Sequence, residues 1–95
     1  MSAVPPEFHP AVTFTVRAAR APDVLPRVLE LFAKRNLVPD RWTTRRVGEN
    51  RDRLVFEIEM DAMEWRLADY MAASMRQIVN VESVVAEKVS LAKTG

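Results

Sequence analysis

The stretch Arg53-Leu54-Val55-Phe56-Glu57-Ile58-Glu59-Met60 decides the fold. Leu54, Phe56, Ile58 and Met60 alternate with Val55, Glu57 and Glu59. Period two in aliphatic and aromatic residues predicts a half-buried strand. Just upstream, Gly48-Glu49-Asn50-Arg51 is a turn signal. Before that turn, residues 40–47 also alternate, with Trp42, Thr44 and Arg46 on one side and Arg41, Thr43, Arg45 and Val47 on the other. Pro39 suits an edge or a strand start. The two runs predict a hairpin whose first strand, rich in arginine, is a sheet edge.

Helical periods flank the hairpin. On its N-terminal side, Leu25, Val28, Leu29 and Phe32 recur at three and four, with Val24 and Leu31 at the margins. That stripe predicts a helix over about 23–35 with one face on a sheet. Asp23 is a candidate cap, and Pro22 and Pro26 fall where a helix tolerates proline. Lys34 and Arg35 suit the negative end of the helix dipole, and Asn36 is a candidate left-handed cap. On the C-terminal side, Asp61 and Glu64 have capping-box spacing. Leu67, Met71, Met75 and Ile78 follow, with Ala68 and Ala72 alongside, which predicts a second helix over about 62–78. Met60, Met63, Met71 and Met75 read as core filler.

Two outer strands complete the pattern. Val12, Phe14 and Val16 alternate with Thr13, Thr15 and Arg17. Residues 80–89 give a last strand. The order β-α-β-β-α-β, with right-handed crossovers, puts both helices on one face of the sheet. The expected class is α+β: a ferredoxin-like βαββαβ two-layer sandwich with a four-stranded antiparallel sheet. Thr13, Thr15, Arg17, Glu57 and Glu59 are expected on the open face, with Val55 and Val84 diluting it.

Composition agrees with one small domain. The chain has 95 residues, 48% hydrophobic and 28% charged. A core this size buries only about 60–65% of the unfolded surface, so an oligomer interface would help. Residues 1–10, with Pro5, Pro6 and Pro10, read as a flexible tail in which Phe8 could tuck against the body. Residues 11–90 read as the domain and 91–95 as a second tail. The net charge is +1, which lends no support to nucleic-acid binding. There is no cysteine, so thiolate chemistry is out. No apolar run reaches a membrane span and no signal peptide is evident, so a cytoplasmic location is expected.

No catalytic constellation is present. His9 stands alone, and a metal site needs three or four ligands. Ser74, Ser83 and Ser90 have no histidine to activate them. Glu57 and Glu59 sit two apart on an open sheet face, without the burial that shifts a pKa. No cofactor is expected. Arg41, Arg45, Arg46 and Arg51, with Trp42 among them, admit three readings. The plainest is a solvated edge balanced by Glu49 and Asp52. A nucleic-acid stripe would use the arginines and the indole for stacking. A protein-binding edge formed by Arg41, Trp42 and Arg45 has the chemistry of interface hot spots. Trp65 and Tyr70 are modest candidates for a protein contact.

The run from Ala21-Pro22-Asp23-Val24-Leu25-Pro26 to Lys34-Arg35 resembles the first helix of an ACT domain. Met75-Arg76-Gln77-Ile78-Val79-Asn80-Val81-Glu82-Ser83-Val84 is similar to that family's passage into strand four. Within the family, Val24–Leu29 and Gln77–Val81 are most similar to the short, single-ACT regulatory subunit of acetolactate synthase. The resemblance implies a non-catalytic homodimer with sheets side by side. It also implies binding to and activation of a large thiamine-diphosphate subunit, and an amino-acid effector in many forms. The family's effector loop maps onto Pro22, Asp23, Val24, Leu25 and Val38. Asp23 stands where amino-acid-binding members have glycine, and Val38 where they have asparagine. Asp23 would occupy the helix-end amides and present a negative charge to an incoming carboxylate. A protein-binding module therefore fits better than an intact sensor. The remaining alternatives are a stand-alone amino-acid sensor and an RNA-binding ferredoxin-like domain.

Overall fold

Alternating and helical segments fold in the expected order: β1 (Ala11–Ala19), α1 (Val24–Ala33), β2 (Arg41–Val47), β3 (Arg53–Met60), α2 (Trp65–Arg76) and β4 (Val81–Val89). The computed structural model describes residues 9–89. The expected behaviour of residues 1–8, Phe8 included, and of 90–95 lies outside them. One antiparallel sheet has the order β2-β3-β1-β4. This is the ferredoxin-like α+β sandwich.

Register sorts the side chains into two faces. Trp42, Ile58, Phe14 and Ala86 form one row across the sheet, and Thr44, Phe56, Val16 and Val84 the next. These rows lie under the helices. Phe14, Val16, Phe56 and Ile58 lose all solvent contact there, joined by Val24, Val28 and Phe32 of α1 and by Met71 and Met75 of α2. The open face carries Arg41, Glu59 and Thr13 in one row, then Thr43, Glu57, Thr15 and Val85, then Arg45, Val55, Arg17 and Ser83.

Several expectations need correction. Val84 lies on the helix side, opposite Val16, and Val85 is the exposed valine of the open face. Val55 does lie on the open face, yet it is only 2% exposed. In α1 the buried stripe is Val24, Val28 and Phe32, whereas Leu29 is 43% exposed. A repeat of four keeps those three over the sheet and turns Leu29 toward its edge.

Helix ends differ too. Helix α1 is shorter than expected, and Asp23 sits at its N-cap without a side-chain capping bond. Helix α2 begins at Trp65, so the Asp61–Glu64 capping box does not form. Residues 61–64 instead carry Met63 into the core at 3% exposure. The Met63 amide donates to the Pro10 carbonyl at 3.0 Å, and the Asp61 amide to Asp40 Oδ2 at 2.6 Å. Pro10, expected in the flexible tail, is thereby tied to the domain. Asn36 does terminate α1 in the left-handed region, φ 58°, and the Leu37 amide reaches back to the Phe32 carbonyl at 2.9 Å.

Candidate functional site

Between α1 and the edge strand β2 runs an open groove built from two adjoining hollows. One, of about 310 Å3, is lined by Leu25, Leu29, Pro39, Trp42 and Thr44. The other, of about 510 Å3, is lined by Arg20, Ala21, Pro22, Leu25, Thr44, Arg46, Leu54 and Phe56. Leu25 and Thr44 belong to both. The first hollow is mostly apolar. The second adds two guanidinium groups beside an apolar floor, a combination suited to a carboxylate with a hydrophobic body.

Local sequence explains the groove. Strand alternation puts Trp42, Thr44 and Arg46 on the helix-facing side of β2. Trp42 is held there by Phe32, with ring centroids 6.3 Å apart, and by Phe56 at 5.8 Å. Its indole N–H donates to Thr44 Oγ1 at 3.1 Å. Arg46 Nε donates to the Arg51 carbonyl at 3.4 Å. The Arg20 amide donates to the Asp52 carbonyl at 2.9 Å, which fixes the backbone just beyond β1.

The residues expected from the effector loop do not come together in one chain. Pro22 and Leu25 line the groove. Val24 is fully buried, and Asp23 is exposed. Val38 is 80% exposed and lies past the opposite end of α1, about 15 Å away along a ten-residue helix. Asp23 does not occupy the helix-end amides, contrary to expectation. Its Oδ2 pairs with Arg27 Nε at 3.0 Å. The amides are used in other ways. Val24 donates to the Ala21 carbonyl, Arg27 donates to the Asp23 carbonyl, and Pro26 has no amide hydrogen. Of this first turn, only the Leu25 amide is left to meet a ligand.

The expected partner-binding trio is split by the pleat. Arg41 and Arg45 lie on the open face, and Trp42 lies under α1. Arg41 approaches Glu59 at 3.8 Å. The open face, moreover, carries no aromatic residue among the described residues for a base to stack on. Trp65 is half-buried beneath Lys88, whose Nζ is 5.0 Å from the ring centroid.

Arg20 is not singled out by the sequence, and Arg46 stands there only as one of four edge arginines, not as a groove residue. The signal was available: alternation already places Arg46 on the apolar side of β2, an unusual place for a charge unless it reaches the rim.

A protein-family model described as an ACT-like domain matches residues 7–93. The chain belongs to the ACT-like domain family. Membership in the ACT-like family points to a small regulatory or ligand-binding domain rather than a catalytic one. No curated protein matches the sequence. Solved structures share the ACT-like chain's fold. The uncharacterized protein TM1266 from Thermotoga maritima has a TM-score of 0.66 at 10% identity, covering 85% of this chain and 98% of that one. The C-terminal domain of the MgtC protein from Mycobacterium tuberculosis, a solution structure, has a TM-score of 0.67 at 14% identity, covering 94% and 97%. Among the described residues of the ACT-like domain, no helix is long and apolar enough to cross a membrane. Nor do His, Asp or Glu side chains gather there in a metal-binding cluster.

Proposed function

We propose that this ACT-like domain is a non-catalytic regulatory subunit that pairs with a second copy through β2 and uses the α1–β2 groove as its effector and partner site. One observation carries the reading. The groove opens along a strand that has a sheet neighbour on one side only, and exposed Leu29 and Val38 flank it. An unpaired edge beside apolar surface calls for a cover.

The arginines of β2 do not obstruct such pairing, because their side chains leave the sheet through its faces rather than its edge. An antiparallel pair centred on Thr44 sets Trp42 opposite Arg46 of the second copy, and Thr43 opposite Arg45. No arginine then faces an arginine directly. The same two-fold brings the Val38 end of one copy toward the Pro22 end of the other. Residues of the effector loop that a single chain keeps apart would then share one site, with Arg20 and Arg46 as carboxylate partners.

The partner enzyme on this reading is the large thiamine-diphosphate subunit of acetolactate synthase. Its support is the resemblance of Val24–Leu29 and Gln77–Val81 to that enzyme's regulatory subunit. Co-purification with the large subunit, and a rise in that subunit's rate, is the expected result. A thermal-shift screen against the standard amino acids tests the groove as an effector site. A ligand at a hundred times its Kd adds about 2.7 kcal/mol of stability. A shift for valine, leucine or isoleucine that is lost in Arg46→Gln supports the groove, and a flat response across the panel counts against an amino-acid effector.

A further inference from the structure

A second cleft lies on the other side of α1, away from β2, where the two helices meet. It measures about 520 Å3 and is lined by Leu31, Lys34 and Arg35 of the α1 side and by Leu67, Tyr70, Met71 and Ser74 of α2. Helical spacing assembles it. Leu31 stands three and four residues before Lys34 and Arg35, and Leu67, Tyr70, Met71 and Ser74 step along one face of α2. Leu31 and Leu67 are half-buried and Met71 is 1% exposed, so these three form an apolar floor. Lys34, Arg35, Tyr70 and Ser74 supply polar groups at the rim.

The Arg35 guanidinium lies over the Tyr70 ring, 4.3 Å from its centroid. Stacking uses the face of the guanidinium and leaves its N–H donors directed edgewise. Among the described residues, no carboxylate lies within ion-pair distance of Arg35. Lys34 has only a loose approach to Glu30, 4.0 Å, with both side chains more than half exposed. Two cations therefore border an apolar floor beside two hydroxyl groups. Rings and pockets of this size and lining hold small ligands through a few convergent polar groups.

We propose that this α1–α2 cleft binds a small amphipathic organic anion, with its head on Arg35, Lys34, Tyr70 and Ser74 and a short apolar body over Leu31, Leu67 and Met71. The site is separate from the α1–β2 groove and does not depend on pairing through β2.

Tyr70 is the only tyrosine of the chain, so its phenolate absorbance reports this cleft alone. Its pKa lies below the ordinary tyrosine value, because hydrogen bonding by Arg35 and then Ser74 favours the phenolate and the Arg35 charge adds to this. The groups facing it are Arg35 and Lys34 from the α1 side and Ser74 from its own helix. An anion bound here opposes the phenolate and raises the Tyr70 pKa again.

The test titrates the full chain with hexanoate, acetate, inorganic phosphate and 1-hexanol, following backbone amide shifts and the phenolate transition. Hexanoate is expected to shift the Lys34, Arg35, Tyr70 and Ser74 amides saturably and to raise the Tyr70 transition. Acetate and phosphate, which lack the apolar body, should bind about ten-fold more weakly or less, and hexanol should leave the Tyr70 transition in place. Arg35→Gln should weaken hexanoate about ten-fold, the loss of one charged hydrogen bond, whereas Arg46→Gln in the other groove should not. Lys34→Gln gives an intermediate loss and guards against a folding defect in the Arg35 variant. Hexanoate that perturbs no cleft residue overturns the proposal. So does undiminished binding to Arg35→Gln, or acetate and phosphate binding as tightly as hexanoate.

Discussion

Trp42 of the edge strand meets Phe32 of α1 edge to face, with ring centroids 6.3 Å apart and planes at 78°. Phe32 in turn meets Phe14 of β1 at 5.9 Å. The wall of the α1–β2 groove is thus continuous with the centre of the core. Truncating Trp42 removes a half-buried ring and two aromatic contacts. Trp42→Ala is expected to destabilise the fold by about 2–4 kcal/mol, somewhat below a fully buried aromatic truncation. Trp42→Phe should keep most of that. Urea unfolding measures both, and a Trp42→Ala loss under about 1 kcal/mol would mean that the indole is not packed as described.

Asp23 provides a second check. Its carboxylate pairs with Arg27 on an exposed surface and caps nothing. Exposed pairs contribute little, so Asp23→Ala should change stability by less than about 0.5 kcal/mol. A capping aspartate would cost about 1 kcal/mol or more on the same substitution. The larger value would return Asp23 to the helix-end amides.

Tyr70 predicts a pH signature. Its folded pKa is lowered relative to the ordinary value. A lowered acid pKa contributes stability that is present above the unfolded pKa and lost as pH falls through the folded one. The phenolate transition of the folded protein should therefore come at lower pH than that of the urea-unfolded chain. Arg35→Gln should move the folded transition up. Coincident folded and unfolded transitions would contradict the described Arg35–Tyr70 contact.

Much of the fold was legible because period and burial agree. The alternation of Leu54, Phe56, Ile58 and Met60 placed β3, and Val12, Phe14 and Val16 placed β1. Asn36 at the end of α1 was readable because few residues tolerate the left-handed conformation it adopts. Other positions were decided by tertiary contacts that spacing does not encode. Asp61 and Glu64 have capping-box spacing, but burying Met63 draws residues 61–64 out of the helix. Leu29 fits the helical stripe, yet the narrower repeat of Val24, Val28 and Phe32 takes the core, leaving Leu29 on the groove. Trp42 and Arg41 are neighbours in sequence, and the pleat sends them to opposite faces. The α1–α2 cleft depends on which helix faces meet, so the sequence offers Tyr70 as a contact candidate and Arg35 as a dipole partner without showing the stacking between them.

Pairing through β2 is the central claim, and sedimentation equilibrium of the wild-type chain beside the double variant Leu29→Lys, Val38→Lys tests it most directly. Both residues are exposed in a single chain and flank the groove, so lysine there should leave the fold of the single chain intact, as circular dichroism would show. The account predicts a dimer for the wild type and a monomer for the folded variant. A monomeric wild type, or a variant that stays dimeric, would contradict it.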